Sequence, residues 1–309
     1  MKRYITIDGG TTNTRIYLVE NGAIRAIKKI ARGSGSNEAK SKLMPEIKSS
    51  IKELLTQNGL SEADIICIIA SGMITSEFGL YTVPHSIAPV DVKGIRKNSK
   101  ETSIPEITSI PFFFISGVKT VGTSPLDTNM MRGEETELVG IMDKGECIYI
   151  LPGSHNKIIS VDKNGYITGF LSTLSGEMIA ALTERTILSV SLDIHKDAPS
   201  PKGVIDGYEY ARARGINEAL LKPRALKASG MADNAYIYGF FMGAVLSDEV
   251  RPILDMKEKR VVIGGRREIK LPLAELLSTY SDKEIIILDD KEVESSSVKG
   301  AIRIYENFL

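Results

Sequence analysis

Tryptophan is absent, and eight phenylalanines with eleven tyrosines leave the chain only 6% aromatic. That is too little for the stacking platforms on which proteins hold single-stranded nucleic acid. Charge of one sign is lacking as well: 39 basic side chains meet 39 acidic ones, for a formal net charge of +0. No field draws in a nucleic acid or an anionic membrane, so neither is expected as a partner. The two cysteines, Cys67 and Cys147, lie far apart and show no metal-ligand spacing. They read as buried, reduced thiols of a cytoplasmic protein. The three histidines, His85, His155 and His195, are scattered among loops, which argues against a histidine metal site. Long apolar runs are also missing. Stretches such as Ile65 to Ala70 fall far short of a bilayer span, and Asp8 interrupts the first apolar run too early for a signal peptide. What remains is the composition of an ordinary globular protein, 42% hydrophobic and 25% charged. Its 309 residues suggest two domains or one large one.

The stretch that organises the chain is Tyr4 to Val19. Two runs rich in β-branched and aromatic residues flank Asp8-Gly9-Gly10-Thr11-Thr12-Asn13-Thr14-Arg15, which predicts strand, tight turn, strand. Gly9 and Gly10 let the backbone approach a bulky anion. Thr11, Thr12 and the turn N–H groups can donate to phosphate oxygens, and Asp8, at a strand end, can hold hydrated Mg²⁺. The plain alternative is a hairpin whose Asp and Thr cap their own turn.

The pattern occurs twice. Cys147 to Leu151, then Pro152-Gly153-Ser154-His155-Asn156, then Lys157 to Val161 and an Asn164-Gly165 turn repeat the first unit's order. Gly10 maps onto Gly153, Asn13 onto Asn156 and Asn21-Gly22 onto Asn164-Gly165, all at an offset of 143 residues. Asn-Gly is a strong hairpin signal. A duplicated strand–turn–strand unit, one per lobe, suits a protein that grips a nucleotide's phosphates from both sides.

Between these units the periodicity predicts an amphipathic helix over 41–58, with Leu43, Ile47, Ile51, Leu54 and Leu55 on one stripe and Gly59 as its stop. Buried strands are expected at 65–70 and 110–115, a loop without period at 73–90, and a helix over 133–142. Further helices are expected over 175–190, 205–221, 232–249, 271–280 and 298–308, with a polar loop at 193–202 and strands at 260–263 and 285–288. Strands alternating with helices indicate an α/β fold.

Three further segments carry candidate chemistry. Met131-Arg132-Gly133-Glu134-Glu135-Thr136-Glu137 is densely charged. A carboxylate at this helix start can serve as general base toward a substrate hydroxyl, or can simply offset the helix dipole. Gly264-Gly265, after a short strand, offers bare backbone on which a nucleotide base could lie, or is a tight turn. His155 and Lys157 could meet phosphate; a capping histidine and a surface charge are the alternatives.

These segments, together with Ser175-Gly176-Glu177, resemble the 2-dehydro-3-deoxygalactonokinase family, a branch of the actin-like ATPase and sugar kinase superfamily. The likeness runs in the same order over nearly the whole chain. It implies two ribonuclease H-like lobes, residues 1–143 with a C-terminal helix at 294–309 packing back on them, and 144–293 carrying the nucleotide base site, with ATP in the cleft between. It implies transfer of the γ-phosphate of ATP, with Mg²⁺, to the terminal hydroxyl of a 2-keto-3-deoxy sugar acid. Another small hydroxylated acceptor, or a catalytically silent ATP-binding regulator, are the alternatives. The resemblance places Glu134 as catalytic base, with Glu135 as the neighbour that stays open, and Asp8 at the metal. Cofactor contacts fall on Gly9, Gly10, Thr11, Thr12, Asn13, Arg15, Gly153, Ser154, His155, Lys157, Gly264 and Gly265. Substrate contacts fall on Met73, Ser76, Arg132 and Glu135, with Arg132 counted beside Glu134 and Asp8 in the catalytic set and the best cation for a sugar carboxylate, unless it pairs internally with Glu134 or Glu135. The chain departs from the family at Leu80, His85 and Leu171, where aromatics and a second cation are usual. Weaker binding of 2-keto-3-deoxy-galactonate, or preference for a relative, is therefore expected. Assembly is left open, a homodimer included.

Overall fold

A computed structural model describes residues 1–11, 13–34, 37–143, 145–194 and 196–307. The first elements are three strands, β1 (Arg3–Gly9), β2 (Thr14–Glu20) and β3 (Ala23–Ile30), paired antiparallel. Asn21 and Gly22 between β2 and β3 both take positive φ, 49° and 82°, the two-residue turn that Asn-Gly favours. Ile5, Ile7, Ile16 and Leu18 point into the core. Helix α1 (Asn37–Gln57) lays Leu43, Ile47, Ile51, Leu54 and Leu55 on the same core, the predicted stripe. Strand β4 (Cys67–Gly72) is fully buried and runs parallel to β1.

The segment expected to be a periodless loop holds a 3₁₀ turn at Met73–Thr75 and a short strand, β5 (Ser86–Ile87). Helix α2 (Val92–Asn98) and strand β6 (Lys100–Thr102) follow, then β7 (Phe112–Phe114), β8 (Val118–Lys119), β9 (Met130–Met131) and helix α3 (Glu134–Ile141). The main sheet has the order β3-β2-β1-β4-β7-β6, and β5-β8-β9 form a small second one. The short strands escape prediction because two or three residues are too few to show alternation.

The chain continues through β10 (Cys147–Leu151), β11 (Asn156–Val161), β12 (Ile167–Thr173), α4 (Ser175–Arg185), α5 (Pro201–Arg214) and α6 (Ile216–Ser229). After these come α7 (Asn234–Asp255), β13 (Arg260–Ile263), α8 (Arg267–Tyr280), β14 (Glu284–Ile287) and α9 (Asp290–Glu306). These strands order as β12-β11-β10-β13-β14, with β10, β13 and β14 parallel. Third, second, first, then two parallel strands is also the order β3-β2-β1-β4-β7. The repeat seen at a 143-residue offset is thus a repeat of sheet topology, as two ribonuclease H-like lobes require.

Helix boundaries differ from expectation in several places, for reasons the backbone shows. The single helix expected over 205–221 is two, because Gly215 adopts φ 88° and closes α5, its N–H bonding Ala211 O at 2.8 Å. Pro201 at the first position and Ser200 as cap start α5 inside the expected loop. Helix α9 begins eight residues early: its polar first turns look like loop in sequence, but Ser296 and Ser297 are buried.

Two compact units result, Met1–Gly145 with Val161–Phe170 and Asp290–Leu309, and Glu146–Ser160 with Leu171–Asp289. In the first, α9 packs on α3 backbone to backbone: a Cβ on Gly140 would lie 1.9 Å from Ser296 O, and one on Gly300 1.8 Å from Thr136 O. In the second, α7 is the core helix, with Ile237, Phe241, Val245, Leu246 and Val250 buried beneath β10 and β13 side chains.

Candidate active site

In the first unit Asp8 is the penultimate residue of β1, directly across the ladder from Arg15 on β2. Arg15 Nη1 lies 3.3 Å from Asp8 Oδ2, a cross-strand ion pair whose arginine is half exposed. Burial pushes the Asp8 carboxyl above the ordinary aspartate range; Arg15 opposes this and the Glu134 charge adds to it. The glycine turn is closed by Gly10 N–H donating to Asn13 O at 2.8 Å and held from outside by Ser34 N–H on Gly10 O at 3.0 Å. Thr11 and Asn13 are exposed at its rim; Thr12 lies outside the described residues.

Beside β1, β4 ends at Gly72, whose φ of 81° and close approach leave no room for a side chain: a Cβ there would lie 2.4 Å from Gly9 O. Gly133 packs on the other side of Gly72, so bare backbone brings the α3 N-terminus to the end of β1. Three carboxylates, Glu134, Glu135 and Glu137, occupy the first turn of α3, where the helix dipole favours negative charge. They differ in surroundings. Glu135 is fully buried; it accepts the Gly133 N–H with both oxygens, at 2.8 and 3.0 Å, and the Thr136 hydroxyl at 3.0 Å. Burial, then the neighbouring Glu134 charge, push it up to about 7. Glu137 is pushed to about 8 by burial and by the charges of Asp8 and Glu134. Glu134 keeps partial exposure and accepts the Arg132 N–H at 2.9 Å.

Arg132 does not stand free as a carboxylate receptor. Its Nη1 donates to Thr75 O and Oγ1 at 2.9 and 2.6 Å, and its Nη2 to Val83 O at 2.9 Å. His85 lies 3.2 Å from the same Nη2. Burial and the Arg132 charge lower that imidazole to about 4, so at neutral pH it accepts from the guanidinium. The arginine therefore ties the Met73–Thr75 turn and the 83–85 strand entry to the start of α3. The cation expected to meet a sugar carboxylate thus already serves three protein acceptors. Met73 and Ser76 share that turn, Ser76 Oγ donating to Met73 O at 2.6 Å, and both are half-buried.

In the second unit the structure brings together three segments that the sequence singles out separately. The Gly153 turn lies against the start of α4, where a Cβ on Gly176 would come 1.9 Å from Gly153 O, and Glu177 N–H donates to Ser154 O at 3.0 Å. The Gly264-Gly265 turn joins them through Arg266 N–H on Pro152 O at 3.0 Å, and Arg266 Nη2 reaches Ser154 Oγ at 3.3 Å. His155 Nε2 pairs with Glu177 Oε1 at 3.0 Å. Among the described residues, the peptide N–H groups of Ser154 and His155 have no protein acceptor. Lys157, expected to meet phosphate or to be a surface charge, is 3% exposed within β11. Below the turn, Asn156 Oδ1 accepts the Gly153 N–H at 3.0 Å, and Asn156 Nδ2 donates to buried Glu249.

The model of one family, described as 2-keto-3-deoxy-galactonokinase, matches residues 8–296. The chain belongs to that family. Its members are sugar kinases, phosphotransferases acting with a nucleotide on a small sugar. The 2-dehydro-3-deoxygalactonokinase of Escherichia coli K12 is 24% identical over 262 residues, 82% of this chain and 81% of that protein. A crystal structure assigned as a 2-dehydro-3-deoxygalactonokinase protein of Sinorhizobium meliloti superposes with a TM-score of 0.78 at 18% identity, over 98% of this chain and 99% of that one. Component A of the (R)-2-hydroxyglutaryl-CoA dehydratase of Acidaminococcus fermentans follows with 0.51 at 14% identity, over 99% of each chain. At these identities the structural likenesses carry the fold, α/β with two actin-like ATPase lobes.

Sequence reasoning missed Glu137, Thr75 and Glu249. Glu137 was legible as the third carboxylate of its turn. Thr75 and Glu249 carry no local signal; only the folded chain brings them to Arg132 and Asn156. No helix among the described residues is long and apolar enough to cross a membrane. Among the described residues no three His, Cys, Asp or Glu side chains group to hold a metal by themselves. Mg²⁺ needs no such group, since it takes one or two carboxylates and completes its shell with water and substrate phosphate. Asp8, an oxygen donor with 22% side-chain exposure beside a phosphate-sized glycine turn, fits that mode.

Proposed function

We propose that this family member transfers the γ-phosphate of ATP to the terminal hydroxyl of a 2-keto-3-deoxy sugar acid related to 2-dehydro-3-deoxy-galactonate. Phosphoryl transfer asks the protein for alignment and charge compensation more than covalent help. The Gly9-Gly10 turn with Thr11, Thr12 and Asn13, and the Gly153-Ser154-His155 turn at the α4 N-terminus, are the proposed phosphate binders. Each supplies peptide N–H groups within its own unit. Gly264 and Gly265 provide the bare backbone for the base. Asp8 would hold Mg²⁺, which supplies charge neutralisation on the phosphates when bound, and Arg15 orients the Asp8 carboxylate.

The base is Glu134. The observation that carries this choice is the contrast with Glu135, whose two oxygens are already bonded to Gly133 and Thr136 at 0% exposure. Glu134 sits at the same helix start, partly exposed and sharing a field with Asp8. It can take the proton of an acceptor hydroxyl, and its partner Arg132 N–H keeps it aimed. Arg132 shapes the sugar pocket through the Met73–Ser76 turn it holds. A coupled ADP-release assay over 2-keto-3-deoxy sugar acids and the matching neutral sugars tests the assignment. Turnover confined to the acids supports it; equal turnover on neutral sugars rules out sugar-acid specificity.

A further inference from the structure

Glu249 lies on α7 among Val245, Leu246, Val250 and Ile253, the apolar floor of the second unit, and is 1% exposed. A carboxylate taken from water at such a place is costly unless its oxygens find donors. Both do, Oε2 through the Asn156 amide. Asn156 Nδ2 donates to both oxygens, at 2.9 and 3.0 Å, and the hydroxyls of Thr173 and Ser175 donate to Oε1. These three donors belong to three different segments: the end of the Gly153 turn, the end of β12 and the first residue of α4. One side chain thus ties together the elements that surround the turn. It also settles the Asn156 amide. With Nδ2 held by Glu249, Oδ1 must face the turn, where it accepts the Gly153 N–H at 3.0 Å.

We propose that Glu249 is the positioning residue of the nucleotide-binding turn in the second unit. It fixes Asn156 so that the Gly153 peptide is locked and the following N–H groups of Ser154 and His155 are presented to phosphate, and through Ser175 it sets the start of α4 against them. Glu249 itself touches no ligand. The inference rests on the assignment of that turn to nucleotide binding.

The test is calorimetric titration of the full chain with ATP and MgCl₂, alongside KM for the sugar acid at saturating ATP. Glu249→Gln keeps the volume but offers Asn156 an oxygen and an amide where it had two oxygens. It is expected to weaken ATP binding about 10-fold or more, the scale on which supporting shells act on bound groups, with sugar KM unchanged. The double variant Asn156→Asp/Glu249→Gln reverses the pair: the new amide on α7 donates, and the new carboxylate in the turn accepts both from it and from the Gly153 N–H. It is expected to bring ATP affinity back to within about threefold of wild type, a recovery that a mere core-filling role for Glu249 would not produce. If Glu249→Gln does not fold, Thr173→Val, which strips one donor from the carboxylate, is expected to weaken ATP binding at unchanged Tm. Unaltered ATP affinity in Glu249→Gln, a double variant no better than the single, or unaltered affinity in Thr173→Val overturns the role. A wild-type chain that binds no ATP removes the nucleotide assignment itself, and the inference with it.

Discussion

Glu135→Gln probes the carboxyl buried behind the α3 N-terminus. Burial and the Glu134 charge raise it to about 7 from an ordinary 4.5, with the Gly133 N–H opposing the rise. In the unfolded chain the same group ionises in the ordinary glutamate range. Between those two values the folded state holds a proton that the unfolded state has released, so stability falls as pH rises through the window. Below the lower value both states are protonated and the contribution is intact; above about 7 it is gone. At about 1.4 kcal/mol per tenfold in an ionisation constant, the interval corresponds to about 3 kcal/mol. Glutamine has nearly the same shape, keeps an acceptor for the Gly133 N–H and holds no titrating proton. Urea unfolding followed by circular dichroism, for wild type and variant at matched pH, removes this carboxyl while Asp8 and Glu137 still titrate in both proteins, Glu137 with one raising charge fewer. The variant is expected to be equal to or slightly less stable than wild type near pH 4.5, and to gain about 3 kcal/mol on it by pH 8. A difference flat to about 0.5 kcal/mol across that range refutes the argument, because it would mean that Glu135 folds ionised.

Asp8→Asn is expected to weaken Mg·ATP binding and turnover together, measured by calorimetry and ADP release; normal values for both would remove Asp8 from the metal. Glu134→Gln should keep ATP affinity and lose about 10²–10⁴-fold in kcat, the range of general-base catalysis. Collapse in Glu135→Gln with normal turnover in Glu134→Gln would move the base one residue on. Gly176→Ala forces a Cβ to within 1.9 Å of Gly153 O, so ATP affinity should fall while sugar KM holds; unchanged affinity would show that the turn has slack. Arg132→Met should lower the thermal midpoint as well as activity, because it releases Thr75 and Val83 at once; lost activity at an unchanged midpoint would return the guanidinium to substrate binding.

The sheets were legible because their strands are long or repeated. β1, β2, β4, β10 and β13 are rich in β-branched and other apolar residues and lead into glycine-bearing turns, and the 143-residue offset ties the two halves in the sequence itself. The shortest strands and α6 were not legible: Lys100–Thr102 is polar and three residues long, and Pro223 lies inside α6, where sequence rules expect a break. Within the candidate site, the residues that touch ligands in the proposed scheme lie in motifs, since glycine turns and helix starts have local signatures. The residues that hold them do not. Arg132 reads as an available cation until Thr75 and Val83, 57 and 49 residues away, are seen to occupy it. Lys157 reads as a surface charge until β11 is placed inside its sheet.

The packing of α9 on α3 has a consequence for how the protein is made. Residues 290–306 leave the ribosome after all of the second unit has been synthesised, yet they cover Thr136 and Gly140, the helix that presents Glu134. Until then the nascent first unit exposes the α3 surface at Thr136 and Gly140 that Ser296 and Gly300 will meet, while the second unit already has its whole core helix. The lobe with the earliest sequence is thus the last to close, and a nascent chain halted before residue 290 carries the proposed base on an uncovered helix.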